Sequence, residues 1–576
     1  MCVIPSISDL NLPFLAHEEF LIIEECVVKE TFSNVIDNKA LIQLGQLEDR
    51  TDKYLFNELS YRPSGERTNT ILFDACGKEI QAFKHGNNMA IVGVAAVPTQ
   101  QCLQEKNLHD SDSSSTISVL TDSDRAVLTE LGQTKKAVFI LVRRGHEFFY
   151  DLREVKRKRT QEFGLVAFVP EASKKNMKPE VERCFDWVVY YDDSDNFYKG
   201  ALTLDDIRVP KLYSFADELV NIVPTDKIRL IHTEETSMSE VCRVREQFGL
   251  KGAYMDDVKH MRQKELMYDR AEKSGIPIAK TVYIDFLREN DCNKILNRIL
   301  QSISSSTFFA KPTMMVAGYG GVKLKSLVEL KNWIDQRLND DQKTGYVVQE
   351  FLDGREFNAI CVLLQNGACK PIAVKYLLGV STHEGIHSGK PLVCTCDRFE
   401  EANSTSFTNL NLFIERVIKA YKPEQPQIFT IQGFQVDSKG DNYLLNELCY
   451  RPAGDVVDTI LYPACGIDQY SALILSHMDP NYRPQPPKNW HPKVVTRVWY
   501  AQKTGILKSH KKVPQRPEVM GNVTAYWFVK PGQKMKDAAE SEDVIVGLHL
   551  ESTTKADRDC DVAWICKNWA PDVKAM

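Results

Sequence analysis

One string of residues occurs twice in this chain. Tyr54–Glu66 reads YLFNELSYRPSGE and Tyr443–Asp455 reads YLLNELCYRPAGD. With Glu58 set against Glu447, the match runs without a gap from Ile42/Ile431 to Gly77/Gly466. About half of the paired positions are identical, among them Gln46/Gln435, Tyr61/Tyr450, Arg62/Arg451 and Ala75/Ala464. A fixed-offset match of that length indicates duplication. It also constrains the fold, because each copy carries an apolar, strand-like run ending in a glutamate four residues ahead of Arg-Pro. Upstream of each copy, Ile22–Val28 and Leu412–Val417 have the spacing of amphipathic helices.

At 576 residues the chain exceeds a single core, and roughly 150 residues per unit suggests about four units. A net charge of −6 gives no reason to expect nucleic acid as a partner. The fifteen cysteines are scattered, and only Cys394 and Cys396 form a close pair. Neither a zinc site nor a disulfide framework has that spacing, so reduced thiols and a cytoplasmic location are expected. The opening MCVIPSISDL lacks a basic segment before an apolar core, so no signal peptide is expected. The longest apolar stretch, Met89–Val97, is far short of the roughly 20 residues that span a bilayer. It is expected to be a buried strand, and no membrane association is expected.

Between Thr99 and Gln133 the chain is polar, with HDSDSSSTIS at its centre, and a mobile linker over 99–134 is expected. Then AVFILV (Ala137–Val142), LVAFVP (Leu165–Pro170), WVVYY (Trp187–Tyr191) and KIRLIHTEE from Lys227 alternate with helical stretches, the pattern of a parallel α/β sheet. Ser237 is the expected N-cap of the helix that follows. The basic run Lys156–Arg159 reads as a solvated helix face.

Three further strings carry candidate chemistry. Lys264 lies on a charged helix upstream of Gly275-Ile276-Pro277, and taken alone it is a solvated lysine. FFAKPTMMVAGYGGVKL (Phe308–Leu324) puts Lys311-Pro312 at the end of an apolar strand, ahead of Gly318, Gly320 and Gly321. Glycines let backbone N–H groups approach anionic oxygens and a lysine adds a point charge, although the spacing fits neither a P-loop nor a dinucleotide fingerprint. YVVQEFLDGREFNAICVLL (Tyr346–Leu364) reads on its own as a β-hairpin turning at Asp353-Gly354.

Together with the repeated string, these segments resemble the ATP-grasp superfamily of carboxylate–amine ligases over about Ala137 to Val573. The architecture is similar to that of biotin carboxylase. The strings themselves are more similar to amino-acid and dipeptide ligases such as the carnosine-synthase-like group. The resemblance implies a mixed fold, α/β and α+β: a parallel α/β domain at 135–235, a two-lobed core at 236–482 and a small β-rich domain at 490–576. Residues 1–98 would be a partial copy of the core's second lobe. It further implies that Lys264 and Lys311 contact nucleotide phosphates and that Gly318, Gly320 and Gly321 form a lid. Gln349, Glu350, Phe351 and Leu352 would line the adenine pocket through backbone groups, with Glu356 on the ribose hydroxyls. Gln435 and Glu447, twelve residues apart, would hold Mg2+, with Mn2+ as the alternative ion. Arg451, with Lys311, would steady the charge that develops during transfer. Two positions depart from the family. Gln435 stands where an acidic residue is more common, and Cys449 stands where an asparagine is usual. A thiol suits magnesium poorly, so these changes count against a second ion more than against the first.

The implied reaction activates a carboxylate as an acyl phosphate, joins it to an amine and releases ADP and phosphate. Its partners would be a small-molecule carboxylate and amine, and a homodimer is compatible with the resemblance. Carboxylase chemistry is disfavoured, because RPAGD stands where a Gln-Val-Glu-His run would follow and no biotinylation Met-Lys-Met tract is present. Substrate choice is expected at Ser381–Cys394 and near Lys375. The alternative is a non-catalytic nucleotide-binding homologue, favoured by Gln435 and Cys449. The first copy has only 42 residues before Gln43 and nothing there resembles Lys311-Pro312 or the glycine loop, so no independent site is expected in it.

Overall fold

The computed structural model describes residues 69–73, 79–85 and 88–95, and 120–576 apart from 135, 142–151, 159–161, 193–208, 315–317, 342, 437–441, 455–456, 516 and 540–542. The chain divides into two units, Met1–Thr116 and Ile117–Met576. In the first unit, strands β1 (Asn69–Phe73), β2 (Glu79–His85) and β3 (Asn88–Ala95) form an antiparallel meander. Strand β3 falls on the apolar stretch read as a strand. The first repeated string, with Ile22–Val28, Gln46, Glu58 and Arg62, lies outside the described residues.

The second unit opens with helix α1 (Asp122–Thr134), inside the segment expected to be linker. Val127, Leu128 and Leu131 are buried there at helical spacing, and Asp124 accepts hydrogen bonds from the Thr121 N–H and hydroxyl, both at 2.8 Å. The linker expectation therefore fails over these residues. Serine and aspartate dominate the local composition, but three apolar residues on one face suffice to dock a helix.

Strands β4 (Lys136–Leu141), β5 (Phe163–Pro170), β6 (Trp187–Tyr191) and β7 (Ile228–His232) form the parallel sheet in the order β6-β5-β4-β7, as the apolar runs imply. Every residue of β5 is buried. Its two faces enter different cores. Val166 and Phe168 pack with α1, α2 (Pro210–Val220) and α3 (Glu235–Phe248), while Leu165, Ala167 and Val169 pack toward the rest of the unit. Helix α3 begins at Glu235 rather than at Ser237, whose hydroxyl donates to the Glu234 carbonyl inside the first turn. Lys156, Arg157 and Lys158 are exposed, as a solvated face requires.

Helices α4 (Met255–Arg262) and α5 (Lys264–Lys273) lead into a four-stranded sheet of β8 (Thr281–Asp285), β9 (Phe308–Pro312), β10 (Val322–Leu324) and β11 (Gly345–Glu350), in the order β10-β9-β11-β8. Helices α6 (Cys292–Ser302) and α7 (Leu327–Leu338) share its core, where Phe286, Trp333 and Tyr346 meet edge to face.

The chain then enters an antiparallel sheet of eight strands. They are β12 (Arg355–Leu363), β13 (Cys369–Leu378), β14 (Leu392–Arg398), β15 (Gln427–Gln435), β16 (Tyr443–Cys449), β17 (Val494–Ala501), β19 (Asn522–Trp527) and β21 (Val544–Ser552), ordered β16-β15-β12-β13-β14-β17-β21-β19. Strands β11 and β12 thus belong to different sheets, so the hairpin reading of Tyr346–Leu364 fails and Asp353-Gly354 is a crossing between lobes. Gly354 is needed there, because a Cβ would stand 2.7 Å from the Gln435 carbonyl oxygen. The sheet continues from β14 into β17, so hydrogen bonding carries the C-terminal strands onto the core. Strands β18 (Gly505–Ser509), β20 (Lys534–Met535) and β22 (Asp572–Lys574) make a separate small sheet. Helices α8 (Thr382–Ser388), α9 (Leu410–Tyr421), α10 (Asp458–Cys465) and α11 (Gln469–Met478) complete the elements used below. Among the described residues no helix is long and apolar enough to cross a membrane.

Candidate active site

A cavity of about 300 Å³ lies between the four-stranded and eight-stranded sheets. Lys264, Lys311, Gly318, Gly321, Gln349–Leu352, Glu356, Glu447 and Arg451 all line it. Residues scattered over nearly 190 positions of sequence are therefore brought to one place by the crossing of two lobes.

The anchor of the cationic end is Glu447 on β16. It accepts an ion pair from Lys264 Nζ at 3.0 Å, and Lys264, the first residue of α5, is itself buried. Burial works to raise the Glu447 carboxyl, but Lys264 and Lys311 outweigh it and hold the group below its ordinary range. Lys311, at the end of β9, donates to Asn446 Oδ1 at 2.9 Å and lies 5.2 Å from the Tyr268 ring centroid. Its burial pulls the ammonium down to about 8, against the opposing pull of Glu447 and Glu356. Asn446 occupies a bulge: Gln432 opposes Glu447 while Gly433 opposes Leu445, leaving Asn446 unpaired. A bulge re-aims side chains, and here Leu445, Asn446 and Glu447 all reach the cavity.

Arg451 donates from Nε to Glu235 Oε2 at 3.1 Å, which ties the loop after β16 to the start of α3. Gly318 and Gly320 adopt left-handed backbone (φ 79° and 69°). Gly320 packs against Pro312, where a Cβ would approach to 2.8 Å, so it shapes the turn without lining the cavity. The Gln349 side chain is committed to structure, donating to Thr281 Oγ1 at 2.8 Å, and Glu350 accepts from the Lys280 N–H at 3.0 Å. What Gln349–Leu352 offers a ligand is therefore mostly backbone and the Phe351 ring, over which Lys323 Nζ sits at 3.6 Å. Glu356 accepts from the Thr382 N–H (3.1 Å) and hydroxyl (2.8 Å), so the start of α8 holds its carboxylate.

Gln435 is not part of this site. Its amide oxygen accepts from Arg355 Nε at 3.0 Å and its amide nitrogen donates to the Ser406 carbonyl at 2.9 Å, on the sheet face away from the cavity. Side chains alternate along a strand. On β15 Thr430, Gln432 and Phe434 face the cavity while Phe429 and Ile431 enter the opposite core. The residue that opposes Glu447 is Gln432, whose Nε2 lies 3.4 Å from Cys449 Sγ. Sequence reasoning counted twelve residues back from Glu447 and so fixed on the wrong side of the strand. Asn446, Gln432, Asn358, Glu235 and Trp499 also line the cavity; Asn446 lies in the repeated string and Gln432 in the matched stretch before it, but the repeat does not say which of its side chains face a cavity.

No family model and no curated protein matches the sequence. Among solved structures, an L-amino acid ligase from Bacillus licheniformis superposes with a TM-score of 0.53 at 14% identity, covering 76% of this chain and 99% of that one. The biotin carboxylase domain of a 2-oxoglutarate carboxylase from Hydrogenobacter thermophilus gives a TM-score of 0.49 at 12% identity, over 76% and 91% of the two chains. The fold assignment rests on the first. The chain has the ATP-grasp ligase fold. Within an ATP-grasp fold, the donor set at β15–β16 suits one hard cation. Glu447 supplies a carboxylate and Gln432 an amide oxygen on the neighbouring strand. Among the described residues no group of three His, Cys, Asp or Glu side chains is placed to hold a metal by itself, so further ligands would be phosphate oxygens and water.

Proposed function

We propose that this protein is an ATP-dependent ligase that activates a carboxylate as its acyl phosphate, joins it to an amine of amino-acid or dipeptide type, and releases ADP and phosphate. The observation that carries this reading is the convergence of Lys264, Lys311, Glu447 and Arg451 on one cavity between two lobes. Phosphoryl transfer asks a protein mainly to position groups and neutralise charge. Lys264 and Lys311 place two cations where phosphate oxygens would lie, and Glu447 fixes the first of them. Arg451, held in orientation by Glu235, faces the same space and suits the charge that grows on the acyl phosphate. Gln349–Leu352 would take the adenine and Glu356 the ribose hydroxyls once Thr382 releases it. Glu447 and Gln432 would hold a magnesium ion, which would supply positive charge to neutralise the phosphates. The fold likeness to an L-amino acid ligase supports the amine-joining chemistry.

The test is product analysis with ATP, magnesium and pooled amino acids and dipeptides. ADP and phosphate are expected, only when carboxylate and amine are both present, and Lys311→Ala and Glu447→Ala should each abolish their formation. AMP and pyrophosphate would refute the acyl-phosphate route. A second reading, a nucleotide-binding protein without catalysis, is favoured by Gln432 and Cys449 standing at the metal end. ATP binding with no turnover under any substrate pool would establish it.

A further inference from the structure

The loop that carries Arg451 is tied down residue by residue. Strand β16 ends at Cys449, and the chain runs on from there along the cavity. The Tyr450 carbonyl accepts from His232 Nε2 at 2.8 Å, and the Tyr450 hydroxyl donates to the Glu424 carbonyl at 2.7 Å. Arg451 donates from Nε to Glu235 and from Nη1 to the Pro452 carbonyl at 2.9 Å. Both backbone groups of Ala453 are held by the Gln469 amide, each at 2.8 Å. Gly454 leaves room for the guanidinium, since a Cβ there would stand 3.3 Å from Nη1. A cation held in this way needs no rearrangement at the moment of reaction, the condition under which it stabilises developing charge best.

Two of these ties come from one place. His232 ends β7 and Glu235 opens α3, so only Thr233 and Glu234 separate them. They grip consecutive residues, His232 the backbone of Tyr450 and Glu235 the side chain of Arg451. His232 is fully buried. A carbonyl can only accept, so Nε2 carries the proton, and Nδ1 is bare and has no partner among the described residues. The Gln427 amide, 3.3 Å from Nε2, presents its nitrogen because its oxygen accepts from the Ile428 N–H. The Tyr450 carbonyl is therefore the acceptor that Nε2–H uses. Burial, with Arg245 nearby, pushes the ring down to about 3, so it stays a neutral donor. Glu235 fixes the far end of a long side chain, and His232 fixes the backbone from which that side chain springs. Resting on the ligase reading above, we propose that His232 is a positioning residue for Arg451, and that with Glu235 it makes a two-point clamp through which the parallel α/β domain sets the guanidinium for the charge that grows on the acyl phosphate. The clamp gives the parallel domain a share in catalysis.

The test uses the full chain with 15N-labelled arginine, the Arg451 Nε–H resonance being the one lost in Arg451→Lys. His232→Gln keeps a donor near the Nε2 position, while His232→Leu and His232→Ala remove it. Circular dichroism reports folding, and two donorless variants guard against the failure of one. Without any ligand, the donorless variants should shift the Arg451 resonance, and His232→Gln should leave it close to its wild-type position. In ADP formation the donorless variants should lose roughly tenfold or more in kcat at unchanged KM for ATP, the scale on which a misplaced group slows a reaction. His232→Gln should recover most of that loss. The clamp is overturned if the resonance stays in place in folded donorless variants, or if His232→Gln moves it as far as they do. It is also overturned if kcat holds, or if KM for ATP rises in step with the fall in kcat. A wild type that makes no ADP from any substrate pool would refute the ligase reading instead, and the resonance, which needs no substrate, would still decide the clamp.

Discussion

Lys311 is the side chain whose charge the fold controls most directly. Burial lowers its pKa from 10.5 to about 8, with Glu447 and Glu356 limiting the drop. Between those two values the folded protein holds the lysine neutral while an unfolded chain keeps it protonated. The unfolded state then binds more protons, so this group's contribution to stability rises with pH across that window, and its cost is fully present below about 8. Phosphate binding needs the opposite, the protonated form. ATP affinity should therefore fall as pH rises through about 8, and Lys311→Arg should remove that inflection because a guanidinium stays charged. Calorimetric titration from pH 7 to 9.5 in both proteins checks this, and a flat wild-type profile would contradict it. Glu356 offers a companion prediction. Its carboxylate is held by two hydrogen bonds from Thr382, so Thr382→Val should free an acceptor for the ribose. ATP should bind several-fold tighter, on the scale of one hydrogen bond, whereas 2′,3′-dideoxy-ATP should show no gain.

Strands and helices were legible in the sequence where their periodicity was strong, and less so where position depended on loop length. The parallel sheet followed from its unbroken apolar runs. Lys264, Lys311, Gln349–Leu352, Glu356, Glu447 and Arg451 all reached one cavity because each stands beside a structural punctuation mark, a helix start, a strand end or a crossing. Gln435 failed because a count of twelve residues says nothing about which face of a strand a side chain takes, and Gln432 could only be preferred once register was known. Trp499 was invisible for a different reason: it reaches the cavity through the β14–β17 pairing, a contact about a hundred residues long in sequence. The TILF and TILY segments show context overriding pattern. Asn69–Phe73 is strand β1, while the matched Asp458–Cys465 is helix α10, whose Ile460 and Leu461 sink into a large core. The face assignment makes a sharp prediction. Gln435→Ala should lower stability by about 1–3 kcal/mol, the cost of orphaning buried partners, without changing affinity for magnesium-ATP. Gln432→Ala should weaken magnesium dependence with little loss of stability, and Gln432→Glu should strengthen it. Denaturant titration alongside magnesium titration separates the two positions, and the reverse pattern would restore Gln435 to the site.

The chain as a whole joins one cavity-bearing unit to a second copy of the string that builds part of it. The described residues that line the cavity belong to Ile117–Met576. That cavity depends on the two lysines, the glycine turn and the crossing at Asp353-Gly354, all of which lie ahead of the repeated string in the second copy. Residues 1–42, ahead of Gln43 in the first copy, contain no Lys-Pro strand end and no glycine turn. No lysine of that segment stands at the spacing that Lys264 and Lys311 keep from Glu447, so Glu58 and Arg62 should be dispensable for turnover. The comparison is Glu58→Gln with Arg62→Ala against Glu447→Gln with Arg451→Ala, each made in the full chain and each checked for folding by circular dichroism. ADP formation should survive the first pair within about twofold. It should vanish in the second, because Lys264 loses its buried partner there and Arg451, the other half of the Glu235 pair, is gone. A fragment beginning at Ile117 should bind magnesium-ATP as the full chain does. Equal loss of activity in both double variants, with folding intact, would mean that the first copy contributes to catalysis and that duplication built a shared site.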